Sequence, residues 1–142
     1  MDPGLVEVEI RTVVPTPSGF AVFLCDHEKT FAIYVDREVG AAILMFYRGI
    51  DKPRPLTHDL IGSIFMGLDA KADKVFINDL KNNTFYARLF ISEEGDAGRR
   101  ILEIDARPSD CMAIALQQGV PIYVARSVLD SVRDVSEMLG EE

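Results

Sequence analysis

Asp105-Ala-Arg-Pro-Ser-Asp-Cys-Met-Ala-Ile-Ala-Leu-Gln-Gln-Gly119 carries a helix start, an apolar body and a helix stop in one short run. Pro108 has its φ preset for a first helical turn, and Gly119 supplies the residue type that most easily takes the left-handed cap after a last turn. From Cys111 to Leu116 the helix is apolar on every side, and Ala113 and Ala115 are small enough for close approach by neighbours. A helix without a polar face must be covered all round, so this one is predicted to lie centrally, wrapped by sheet.

Working outward, Arg100 to Asp105 reads as a strand leading into that helix, and Val120 to Val124 as a short strand leaving it. A last amphipathic helix over about 126–139 would bury Val128, Val132, Val135 and Leu139, with Glu141-Glu142 as a solvated tail. Upstream, Val75 to Asp79 and Thr84 to Ile91 read as strands around a Lys81-Asn-Asn83 turn, followed by a polar loop from Ser92 to Gly98. Nearer the start, Val6, Val8 and Ile10 alternate with Glu7, Glu9 and Arg11, the period of a half-buried strand. The turn cluster Pro15-Thr-Pro-Ser-Gly19 then precedes strands over Phe20 to Cys25 and Thr30 to Val35. At Arg37 the period becomes helical, with Val39, Ala42, Ile43 and Phe46 on one face and Arg48-Gly49 at the end. The stiff linker Asp51-Lys-Pro-Arg-Pro55 leads to Thr57, which stands where an N-cap would precede a helix with Leu60, Ile61, Ile64, Phe65 and Leu68 on its inner face.

The two halves resemble one another: Val8 and Ile10 match Val75 and Ile77, Ile33, Val35 and Asp36 match Leu102, Ile104 and Asp105, and Gly49 matches Gly119. A strand-strand-strand-helix unit used twice explains this; the alternative is that any two meanders agree this well. Neither unit could cover both faces of its sheet, so they are expected to share one core. The predicted class is α+β, a mostly antiparallel sheet around a central apolar helix. One domain over 1–142 is expected, its core spanning about 5–129.

The chain has 142 residues, 48% hydrophobic and 27% charged, which excludes disorder and low-complexity classes. Its 15 basic and 23 acidic side chains give a net charge of −8, which opposes bulk electrostatic capture of nucleic acid or anionic membrane. Cys25 and Cys111 have no paired spacing, so neither a disulfide scaffold nor a zinc cluster is indicated, and both read as thiols in a reducing compartment. No apolar run is long enough for a membrane span and the first residues lack a signal-peptide pattern, giving a cytoplasmic expectation.

Two polar clusters interrupt the regular pattern: Arg54-Pro-Leu-Thr-His-Asp59 and Asp105-Ala-Arg-Pro-Ser-Asp110. Each stands at a helix mouth, where free backbone N–H groups and the dipole favour anions such as phosphate. Caps use the same residue types, and Thr57, Asp59, Pro108 and Asp110 are all explicable as helix starters. His58 is what a cap does not need, since an imidazole titrates near neutrality and suits a general base or a metal ligand. His27, in a polar hairpin turn, reads as a surface residue, and Asp36 as a turn acid. The familiar nucleophile elbow, phosphate loop, dinucleotide fingerprint and zinc-binding strings are missing.

At these clusters the sequence resembles the bifunctional nuclease domain family of bacteria and plants. The carrying segments are Arg54-Pro-Leu-Thr-His-Asp-Leu60, Lys74-Val-Phe-Ile-Asn-Asp-Leu80, Thr84-Phe-Tyr-Ala-Arg-Leu89, Ile104-Asp-Ala-Arg-Pro-Ser-Asp110, Ala113-Ile-Ala-Leu116 and Gly119-Val-Pro-Ile-Tyr123. Together they cover about Leu5 to Leu129, and Glu38 also matches although the following Val-Gly departs from the small pair usual there. The resemblance implies an α+β domain that pairs as a homodimer and hydrolyses the phosphodiester bonds of DNA and RNA. That chemistry needs an activated water, charge stabilisation on the phosphate and, in many such enzymes, Mg²⁺ or Mn²⁺ held by carboxylates. The roles expected are therefore Glu38, Asp59, Asp105 and Asp110 on a hard cation, His58 as the base, and Arg107 with the helix N-terminus on the phosphate. No organic cofactor and no membrane partner is expected. Two other readings remain: a non-catalytic regulatory or assembly module in which Arg107 pairs with Asp59 or Asp110, and a binder of a small anionic ligand at the helix N-termini.

Overall fold

In a computed structural model the described residues are 4–139. Three strands, β1 (Leu5–Thr16), β2 (Gly19–Cys25) and β3 (Thr30–Asp36), form the first antiparallel meander and run into α1 (Arg37–Arg48). Helix α2 (Thr57–Gly67) connects to the second meander, β4 (Ala70–Lys81), β5 (Thr84–Gly95) and β6 (Gly98–Ala106), which runs into α3 (Pro108–Gln118). A short β7 (Ile122–Ala125), helix α4 (Arg126–Ser131) and a 3₁₀ turn (Ser136–Leu139) follow.

The sheet order is β3-β2-β1-β7-β4-β5-β6, so β7 joins the two meanders, antiparallel to β1 and parallel to β4. Phe31 of β3 nevertheless touches Phe85 of β5, with ring centroids 6.2 Å apart, which shows how far the sheet curls round. Helix α3 lies inside that curl, with Cys111 to Ala115 buried, and one cluster of buried side chains runs through both halves. The α+β class and the central apolar helix thus hold, and Gly119 takes the left-handed conformation (φ 68°) that ends α3.

The alternation of β1 changes phase at a bulge between Ile10 and Thr12, so that Val8 and Val13 both reach the core from positions of opposite parity. Asn82 and Asn83 both carry positive φ (52° and 62°), the tight hairpin geometry that asparagine tolerates. The segment expected as a loop from Ser92 to Gly98 is instead a continuation of the β5–β6 hairpin. There Ser92 donates to Asp73 (3.0 Å) and Arg100 pairs with Glu93 (2.7 Å), so the polar side chains decorate a ladder rather than replace it.

Two helices differ from expectation. Helix α2 has Leu56, not Thr57, at its cap position; Asp59 accepts the Leu56 N–H (2.8 Å), so a first-turn acid replaces the missing hydroxyl cap. Of its expected inner face only Ile61 and Phe65 pack on the core, while Leu60, Ile64 and Leu68 are exposed. Gly62, buried on the inward side of the helix, lies directly against the Gln117 and Gln118 side chains of α3. The expected long helix over 126–139 stops at Ser131. Lys29 donates to the Leu129 and Val132 carbonyls (2.7 and 3.0 Å), Asp134 accepts the Thr30 N–H (3.2 Å), and the Val135 N–H donates to the Thr30 carbonyl (2.8 Å), which draws the chain onto β3. Glu141-Glu142 lies outside the described residues.

Candidate functional site

Helix α3 opens on Arg107 in extended conformation, with Pro108 in its first turn, and this geometry brings Asp110 round to stand beside the Arg107 side chain. Arg107 Nε donates to Asp110 Oδ2 at 3.0 Å. The other carboxylate oxygen, Oδ1, meets His58 Nε2 of α2 at 2.9 Å. An ionised carboxylate only accepts, so Nε2 carries the proton of this bond, and whenever the ring holds a single proton the lone pair lies on Nδ1. His58 is 5% exposed, and its Nδ1 is buried without a hydrogen-bond partner among the described residues. The edge of the pair is packed by Phe46 of α1, whose ring stands at 88° to the imidazole with centroids 6.4 Å apart, and Lys52 lies 4.5 Å over Phe46.

The opposite end of the chain of contacts reaches the first meander. Arg107 Nη1 lies 3.5 Å from Asp36 Oδ2, while Asp36 Oδ1 caps α1 by accepting the Val39 N–H at 3.0 Å. The ends of β3 and β6, outermost in the sheet, are thereby clasped together. Burial raises the proton affinity of Asp110, but its bonds from Arg107 and His58 outweigh that and hold its carboxyl below the ordinary value. The bond to Asp110, reinforced by Asp36, pushes the Arg107 guanidinium still higher than usual. Next along the helix, burial drives the Cys111 thiol up to about 12, with the Asp110 and Asp105 charges adding to it, so this sulfur is neutral and unreactive near pH 7. Cys25 and Cys111 are both free thiols.

A cleft of about 300 Å³ opens between α1, α2 and α3, lined by Glu38, Met45, Thr57, His58, Arg107 and Asp110 among others. Four of the expected site residues, Glu38, His58, Arg107 and Asp110, therefore converge. Asp59 and Asp105 do not line it. Asp59 is engaged by the Leu56 N–H and by Lys52 (3.5 Å), and Asp105 is exposed at the end of β6, in register with Arg88 of β5. Among the described residues no group of three or more His, Cys, Asp or Glu side chains stands close enough to hold a metal ion. Of the four carboxylates expected from sequence to hold a cation, two, Glu38 and Asp110, line the cleft, and both oxygens of Asp110 already accept from His58 and Arg107. This donor set does not fit a preassembled Mg²⁺ or Mn²⁺ cage.

Asp36 was legible only as a turn acid, yet it joins the network. The signal lay in its match to Asp105 between the halves, because equivalent strand ends at opposite edges of a curled sheet come together. Phe46 carried no signal beyond its helical spacing.

The model of the bifunctional nuclease domain matches residues 22–137. An uncharacterised protein of Mycobacterium tuberculosis is 39% identical over 127 residues, covering 85% of this chain and 73% of that protein. Two rice (Oryza sativa subsp. japonica) proteins are more distant: bifunctional nuclease 1 is 28% identical over 61% of this chain and 26% of its own length, and bifunctional nuclease 2 is 29% identical over 78% and 34%. On the extent of that match, which takes in α1, α2, α3 and every residue lining the cleft, the chain belongs to the bifunctional nuclease domain family.

Proposed function

We propose that the cleft hydrolyses phosphodiester bonds of DNA or RNA by acid–base catalysis at His58. The observation that carries this reading is the unpartnered Nδ1 of a buried imidazole whose other nitrogen is held by Asp110. A buried nitrogen left without a partner costs about 1–3 kcal/mol, and a catalytic role is one of the explanations such a group calls for. Asp110 fixes the tautomer and orientation, so that Nδ1 is free to take the proton of a water as its oxygen attacks phosphorus. The P–O bond to the leaving group then breaks, and the proton passes to the departing oxygen. Arg107, with Nε on Asp110 and Nη1 on Asp36, keeps its Nη2 donors for the non-bridging oxygens of the phosphate. Because Nδ1 is covered, this reading requires the side chains over it to shift when substrate binds.

The test is cleavage of single- and double-stranded DNA and RNA by the purified chain, with Mg²⁺, with Mn²⁺ and with chelator, beside His58→Ala and Asp110→Ala. The expected result is a kcat lowered roughly 10²- to 10⁴-fold in His58→Ala. Cleavage that survives both substitutions overturns the assignment, and activity abolished by chelator and restored by Mg²⁺ gives the central role to a cation instead.

A homodimer belongs to the same reading. At a net charge of −8 a second copy is repelled by most of the surface, but the exposed row formed by Leu60 and Ile64 on α2 and Leu68 just after it is apolar and uncharged. No described helix is long and apolar enough to cross a membrane, and the free thiols suit the reducing cytoplasm. The rival, a non-catalytic module, is favoured by one observation: Asp36 and Asp59 both serve as helix caps and Arg107 is ion-paired. Absence of cleavage by the wild-type chain on every substrate selects it.

A further inference from the structure

Beyond Arg107 the wall of the His58 cleft continues into a second opening of about 350 Å³. It lies at the seam of the curled sheet, between Tyr34 on β3, Asn83, Thr84 and Phe85 at the β4–β5 hairpin, and Ser109 on α3. Arg107 lines both openings. Tyr34 is 66% exposed, and among the described residues its ring takes part in no aromatic or cation–π contact. Its partner across the ladder is the small, buried Ala21. A large aromatic left open beside an arginine, at the mouth of a slot of small-ligand size, is the arrangement that stacks a planar group next to an anion.

We propose that this slot takes one unpaired nucleobase, stacked on Tyr34, of a single-stranded nucleic acid whose adjoining phosphate lies on Arg107. The inference rests on the phosphodiesterase reading and assigns it a substrate class. Three observations support it. The chain carries a net charge of −8, so phosphate contacts alone give weak capture and stacking must supply much of the affinity. Arg107 faces both openings, so a base in the slot places the neighbouring phosphate at the entrance of the His58 cleft. Asn83, Thr84 and Ser109 offer amide and hydroxyl groups to the edge of a base, while the Asp36 carboxylate on the same wall repels phosphate and favours its seating on the Arg107 side. In a duplex both faces of each base are covered by its neighbours, so only an unpaired base can reach the Tyr34 ring.

The experiment uses the full chain carrying His58→Ala, which holds substrate without cutting it, and a short single-stranded oligonucleotide containing the fluorescent base 2-aminopurine, alone or annealed to its complement. Cleavage kinetics on the same strands are measured in chains that retain His58. The expected result is quenching on binding of the single strand, a Kd raised roughly 5- to 150-fold by Tyr34→Leu and restored by Tyr34→Phe, and duplex binding changed by no more than about twofold. In the cleaving chains Tyr34→Leu should raise KM on single strands more than it lowers kcat. Wild-type cleavage that Tyr34→Leu leaves unchanged overturns the slot while the phosphodiesterase reading stands. Equal losses in the Leu and Phe variants also overturn it, because stacking needs only the ring. A wild-type chain that neither binds nor cuts any nucleic acid overturns both.

Discussion

At the scale of single residues, the site is governed by Asp110. Its carboxylate accepts from Arg107 and His58 at once, and these bonds keep it ionised against the opposing effect of burial. A carboxyl whose folded-state value lies below its unfolded one stabilises the fold fully at pH values above the unfolded value, and that contribution is lost as pH falls through the folded value. The contribution of Asp110 to the thermal midpoint should therefore be constant near neutrality and decline once the pH drops below about 4. Asp134 is also held low, by its bonds from Ser136 and Thr30, and adds to that decline. Thermal scans of the wild type and Asp110→Asn from acid to neutral pH separate the two contributions: the variant should start lower at neutral pH and lose less on acidification. An identical slope in both chains would contradict the assignment of Asp110. His58 was visible in the sequence because helix caps have no use for an imidazole, whereas its pairing with Asp110 was not, since that contact spans two helices and 52 positions of chain.

At the scale of elements, propensity succeeded wherever the local signal and the burial agreed. Helix α3 has its start, apolar body and glycine stop in adjacent positions, and it runs over Pro108–Gln118 as its sequence implies. Helix α4 shows the opposite case. Its apolar spacing continues past Val132, but Lys29 and Asp134 tie the following chain to β3, and those tertiary bonds outweigh the weak preference of an isolated segment for continued helix. Lys29→Ala removes both ammonium bonds to the Leu129 and Val132 carbonyls, and should cost about 1–3 kcal/mol in chemical denaturation. Amide exchange should quicken in 131–139 while α3 stays protected, and uniform protection in the variant would show that the lysine does not anchor the segment. Helix α2 adds a further case: its apolar residues are correct for a helix, but packing against α3 and the core takes in only Ile61 and Phe65, beside the buried Gly62.

At the scale of the whole molecule, the outward row on α2 and the curl of the sheet are the consequential features. If Leu60, Ile64 and Leu68 pair two copies, then Leu60→Glu together with Ile64→Glu should turn a dimer into a monomer in light scattering without unfolding the chain, because both side chains are more than half or about half exposed (57% and 50%). A wild-type chain that is monomeric at high micromolar concentration would refute the pairing. The amino-acid order by itself determined the α+β class, the two meanders, the central helix and the residue types of the cleft. Those depend on alternation, helical period and caps, all of which act over a few neighbouring residues. Which acids meet was decided only in three dimensions. A sheet that curls around α3 carries Asp36 to Arg107, and the packing of α2 on α3 brings His58 to Asp110, yet Asp59 stays on its own helix cap and Asp105 exposed at the end of β6. Contacts of that kind are set by twist, register and the packing of distant elements, and no local pattern along the chain encodes them.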